Sequence, residues 1–359
     1  MRLSVLFPAA PPTVRRMKCL TLLVLLFAWA VPTHATIVQM DYSYDAANGN
    51  FFGSNPTAKA ALNAAALDIG NAITGSLGPV TTDVYSGTNG QTTATFDWRF
   101  NLTNPTTGIA TTVNTFTFAA NSATIVAGTR SLAASTLGVG GPAGGGFQLS
   151  GSGFESEWVG AVAAAESASN ASMRRGGGPV IGTLSGSSTF GATTANYSLR
   201  YGAMLGSLSF NSTSTFHYDH TTPVGVGEND FYSVALHEIL HAIGFGVSDT
   251  WSSLHSGTTW NGSNVITLQG TGANMVSADG GHIADGTMST RITDGAAQEA
   301  VMDPTLTVGS RKTLTQLDLA FLRDLGFSTV PEPSAILLVL AAALPLMLVR
   351  RRKMDAAFA

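Results

Sequence analysis

Apolar and polar residues alternate with a period of two in several stretches, each suited to a half-buried strand. Residues 36–44 do so over most of their length, through Ile37, Val38, Met40, Tyr42 and Tyr44. Further strands are expected at 81–85, at 92–102 around Phe96, Trp98 and Phe100, at 113–119, at 123–127, and at 207–218 through Leu208, Phe210, Phe216 and Tyr218. Turn signals such as Asn48-Gly49-Asn50, Thr88-Asn89-Gly90 and Asn104-Pro105 separate them. Elsewhere the period lengthens to that of a helix. Leu62, Ala65, Ala66 and Ile69 fall on one face over 57–73, and a shorter helix is expected at 158–169. Residues 231–243 read as one helix capped by Asn229 or Asp230. A final helix begins at Thr315, boxed by Asp318, and is closed by Gly326. Glycines crowd 138–146, but no Gly-Lys-Ser/Thr follows and no helix opens there, so a phosphate loop is excluded and a flexible surface loop is expected. Residues 174–178 read as another loop. The elements together predict an α+β fold.

The helix at 231–243 carries the chemistry. It contains His237-Glu238-Ile239-Leu240-His241, and residues four apart share a helix face, so both imidazoles can reach one metal ion. Glu238, beside the first histidine, is placed as the general base of a zinc hydrolase. The flanking Val234, Leu236, Leu240 and Ile243 imply burial, and two histidines and a glutamate are costly to bury unless paired or ligated. Catalytic zinc needs three protein ligands and an open position. Outside this helix stand His34, His217, His220, His255 and His282. His217 and His220 flank a strand end as surface residues. Asp249, His255 and His282 are the candidates for the third ligand.

Both ends of the chain read as addresses. Arg15, Arg16 and Lys18 precede an apolar run from Leu20 to Val31, and Thr33-His34-Ala35 ends in small residues. Residues 1–35 are thus expected to be a secretory signal peptide, with Met17 a possible start. The only cysteine, Cys19, lies inside it, so no disulfide is expected after cleavage. At 330–353, Pro331-Glu332-Pro333, fifteen largely apolar residues and Arg350-Arg351-Arg352-Lys353 follow one another. This order resembles the PEP-CTERM sorting signal of Gram-negative bacteria, which implies export across the inner membrane, transient membrane anchoring by a short hydrophobic helix, and tail removal by an exosortase-like enzyme.

Between the ends, 36–329 is long enough for one domain with two subdomains, about 36–246 and about 247–329. Four of the eighteen basic residues lie in the leader and four in the tail, leaving ten; two of the twenty-two acidic residues lie in the tail, leaving twenty. That negative balance argues against nucleic acid as a partner.

Metzincins carry HExxHxxGxxH, and this chain matches through Gly244 but has Val247, which cannot bind metal, where the last histidine would stand. His282, then Ala300-Val301-Met302-Asp303-Pro304, then a helix ending in Asp324-Leu325-Gly326-Phe327 resemble the leishmanolysin group of metzincins, where the third histidine follows an insertion. The resemblance covers about 231–327. It implies a zincin-like α+β fold, with a mixed sheet and helices before the active-site helix and a loop-rich part after it. It further implies zinc held by His237, His241 and His282, Glu238 as base, Met302 as the floor beneath the metal, and a protein or peptide substrate. A strand such as 207–218 is expected, by analogy, to line the cleft and pair with that substrate. The alternative is a non-catalytic cell-surface or biofilm-matrix protein with a structural zinc site. Asp279, Asp285 and Asp294 could bind calcium but lack a recognised loop spacing.

Overall fold

The computed structural model describes residues 36–330, and the expected signal peptide and sorting tail lie outside them. The longer strands of the described residues are β1 Ile37–Asp41, β2 Val84–Asn89, β3 Thr92–Thr103, β4 Ala110–Val113, β5 Ser122–Arg130, β6 Gly138–Pro142, β7 Gly144–Ser152, β8 Val180–Phe190, β9 Thr193–Gly202 and β10 Leu205–Asn211, and short two-stranded pairs follow them. The helices are α1 Ser43–Ala47, α2 Phe51–Ser54, α3 Pro56–Ala72, α4 Trp158–Met173, α5 Phe231–Ala242, α6 Asp249–Leu254, α7 Ser263–Gln269 and α8 Gln316–Asp324. The architecture is α+β.

The sheet that positions the site runs β1-β5-β10-β6, with the first three strands parallel and β6 antiparallel at the edge. Both central strands are largely buried, and β10 is buried at every position, as a strand covered on both faces must be. Its polar residues are accommodated by bonds: Ser209 Oγ accepts from Arg130 Nε at 3.1 Å, and the Asn211 amide bridges to the 132–136 segment and Thr213. α3 packs against β1 and α5 against β10 and β6, and the two helices touch. α3 buries Ala58, Ala61, Leu62, Ala65, Ala66 and Ile69, the face its periodicity foretells, behind an Asn55 cap and Pro56 in its first turn.

Three expectations need correction here. The strand expected at 113–119 is β4, which ends at Val113, and only Phe118 beyond it makes an isolated bridge, to Val80. The 207–218 stretch is not one strand. β10 ends at Asn211, lies inside the sheet and has no free edge; Phe216–His217 pairs separately with Asn229–Asp230. Nor is 138–146 a flexible loop, since it forms β6 and the start of β7. Glycine is there for space. A Cβ on Gly140 would lie 2.3 Å from the Glu238 backbone oxygen, and one on Gly145 would lie 2.7 Å from the Tyr201 ring.

A second sheet is built on β3, which pairs with β2, β4 and β7. Its period-two Phe96, Trp98 and Phe100 pack with Phe147, Tyr197, Tyr201 and Phe116, and Trp98 Nε1 donates to Ser169 Oγ on α4 at 2.9 Å. The β8–β9 hairpin packs on the same helix. After α5 the chain is irregular, and Phe245, Trp251, Trp260 and Phe321 form its aromatic centre. The 174–178 turn holds a buried arginine. Arg175 donates to the carbonyls of Gly78, Ser122, Ala203 and Ala119, and burial lowers its pKa to about 10.

A candidate metal centre on the fifth helix

α5 starts where Asp230 accepts from Ser233 N at 3.0 Å and from Ser233 Oγ at 2.6 Å. Arg311 Nη2 holds the same carboxylate at 2.7 Å. The helix is buried nearly all round, so only its partners decide how His237 and His241 are oriented. It ends at Ile243. Gly244 takes φ +110, where a Cβ would also crowd Ile181, and the chain turns back. Gly246, at φ +77, then passes so close to Gly281 that a Cβ would lie 2.0 Å from its carbonyl oxygen. Trp251 Nε1 donates to the Gly280 carbonyl at 2.7 Å. These two contacts seat the 279–282 turn, and with it His282, beside the helix.

His237, His241 and His282 come together as a triad, the only such cluster of metal-ligating side chains among the described residues. Ring centroids lie 4.8, 5.1 and 4.9 Å apart, and His241 Nε2 is 3.1 Å from Nε2 of each of the others. Every Nδ1 faces an acceptor: Val301 O at 2.9 Å for His237, Phe245 O at 2.9 Å for His241, and Asp279 Oδ2 at 2.7 Å for His282. Carbonyl oxygens only accept, so the Nδ1 atoms of His237 and His241 carry the proton and Nε2 is left as a lone pair. Burial, followed by the neighbouring His241, pushes the His237 pKa well below its ordinary value; burial pushes His241 down to about 4. Asp279 is raised by its partial burial, but bonds from Ser277, Gly281 and His282 outweigh that and hold it at about 2, so it is the acceptor for His282.

The Nε2 lone pairs of His237 and His241, turned on one another at 3.1 Å, repel unless a cation sits between them. Tetrahedral zinc with nitrogen at about 2.0–2.1 Å sets ligand nitrogens about 3.3–3.4 Å apart, close to the separation observed. The residues fit a first-row divalent ion of that kind.

The other candidates for third ligand are not part of this triad. Asp249 is exposed at the start of α6, and His255 bonds Gly257 O through Nδ1 at 3.1 Å. The three aspartates considered for calcium serve separate neighbours: Asp279 the triad, Asp294 the Arg291 guanidinium at 2.6 Å, and Asp285 the Thr305 hydroxyl at 3.0 Å. His217 bonds Glu228 at 3.0 Å and His220 stacks on Tyr232, both away from the triad. Met302 is fully buried. Its amide and that of Val301 donate to Asp318, and its carbonyl accepts from Ile283 N next to His282. The role of Asp279 escaped sequence reasoning, although its position three residues before His282 was a usable signal.

Glu238 lies beside the triad in a cleft of about 930 Å³. The cleft is lined by residues 134–140, by α5 and by the 279–282 and 303–306 turns. Burial raises the Glu238 pKa to about 8, and a hydrogen bond from Gly140 N–H opposes that rise. Farther along, Lys312 is buried against Glu299 at 3.0 Å, Asp303 at 3.6 Å and Thr305 O at 2.8 Å, so its charge is matched within the wall. No protein-family model, curated protein or solved structure matches the chain.

Proposed function

We propose that this chain is a secreted zinc-dependent endopeptidase with metzincin-like organisation. The observation that carries the reading is the convergence of three Nδ1-anchored imidazoles, His241 buried and the other two half-buried, beside a buried carboxylate in one cleft. His237, His241 and His282 would hold the ion, and Met302 would underlie it. When bound, zinc supplies Lewis-acid polarisation of a peptide carbonyl and makes a water more acidic.

Glu238 is the residue that moves protons. From its place beside the triad it is positioned to take a proton from the attacking water and return it to the leaving amine. Asp279 keeps His282 in the ligating tautomer. Residues 138–140 belong to an edge strand, and an extended peptide can pair there by strand addition. The described part of the cleft has no unpaired charge to capture a chain terminus, because Lys312, Asp279 and Asp303 are all bonded. This favours cleavage within a chain.

The test is zinc content and casein cleavage for the purified chain, Glu238→Ala and His282→Ala. Glu238→Ala should keep zinc and lose at least 100-fold in cleavage, the usual scale of a general base. His282→Ala should lose both. A chain that binds zinc but cuts nothing in a broad protein panel is instead the non-catalytic surface protein.

A further inference from the structure

Resting on that reading, we infer that Gly138 is a positioning residue for the base: its missing side chain forms the slot in which the Glu238 carboxylate lies. Gly138 and Gly140 are successive same-face residues of β6 turned toward α5. Neither has a positive φ, so their backbone conformation would accept any residue and only space demands glycine. The space is used differently at the two positions. A Cβ on Gly140 would meet Glu238 main chain, at 2.3 Å from O and 2.9 Å from C. Main chain in a buried helix cannot yield, so Gly140 sets how closely strand and helix approach. On Gly138 the Cβ would lie 2.8 Å from Glu238 Cγ and 2.9 Å from Oε1, with Val234 Cγ1 at 3.0 Å. Those first two atoms are the movable part of a side chain, so a methyl group there leaves the fold standing and turns the carboxylate away.

Glycine in a strand interior costs stability. At Gly138 the return is orientation of Glu238 toward the triad, next to the Gly140 N–H that bonds it. Gly141, on the opposite face of the same strand, has no heavy atom within 4 Å of a built Cβ and is not among the cleft residues. It is the natural control.

The experiment compares Gly138→Ala and Gly141→Ala with the parent for zinc content, kcat and KM on a peptide taken from an observed casein cleavage site. It adds thermal midpoints for Gly138→Ala in the parent and in the Glu238→Ala background. Gly138→Ala should keep its zinc, keep KM within about twofold and lose at least about tenfold in kcat. Gly141→Ala should behave as the parent. Gly138→Ala should lower the midpoint clearly less beside Glu238→Ala than in the parent, because Glu238 Cγ and Oε1 are then gone and only Val234 Cγ1 still opposes the methyl group. A kcat within twofold of the parent, or the same midpoint loss in both backgrounds, overturns the inference. If the parent itself cleaves nothing, the protease reading fails, while the two midpoints still report whether the slot exists.

Discussion

Glu238 carries a proton whose fate depends on folding. Burial raises its pKa from an ordinary 4.5 to about 8, so the folded chain binds this proton more tightly than the unfolded one. The resulting stability is complete below pH 4.5 and is lost as the pH rises through 8. Neutral His237 and His241, their pKa values lowered by burial, oppose this below pH 6.5, so chelator-treated protein should melt at progressively lower temperature only between about pH 6.5 and 8. Glu238→Gln, neutral throughout, should flatten the slope, and equal slopes in the two proteins would assign it to another group. At this scale much of the site was legible: the HExxH spacing names three of its residues from helical geometry alone. The third member of the cluster was not, because three side chains competed for it in the sequence and the contacts of Gly246 and Trp251 with the 279–282 turn, which seat His282 beside the helix, join residues far apart in the chain.

Among the elements, α8 does more than end the fold. Asp318 accepts from Thr315 N, Thr315 Oγ1 and Val301 N through Oδ2, and from Met302 N through Oδ1. One carboxylate thus caps the helix and fixes the turn whose Val301 carbonyl orients His237. Asp318→Ala strands these donors in a buried place and should cost on the order of 3 kcal/mol in denaturant unfolding, with weaker zinc binding; a loss under about 1 kcal/mol would remove Asp318 from this role. The capping box was readable from Thr315 and Asp318, whereas its second duty joins residues far apart in sequence. Helices were legible because their apolar spacing survives in α3 and α5. β6 was hidden because glycines chosen for close approach resemble glycines chosen for freedom. The β8–β9 hairpin was missed because its Gly, Ser and Thr residues give little alternation of hydropathy.

For the whole molecule, strand order was beyond the sequence. β1 pairs β5, and β5 pairs β10 some eighty residues later, an arrangement set by packing on α3 and α5 rather than by local pattern. His282 likewise stands 41 residues from His241. On the proposed reading, a bound ion ties that distant turn to α5 and adds its binding energy to folding. Chelation should lower the thermal midpoint and raise amide exchange over 277–283 while leaving α3 protected; uniform deprotection, or none, would contradict that coupling.

Arg175 has a consequence of a different kind. Its guanidinium gathers main chain from Gly78, Ala119, Ser122 and Ala203 into one place, much as a covalent bridge would in a small exported domain. The sole cysteine of the chain precedes the described residues. This cross-brace therefore forms without an oxidant, requires no isomerase to pair it correctly, and cannot be opened by thiol reagents.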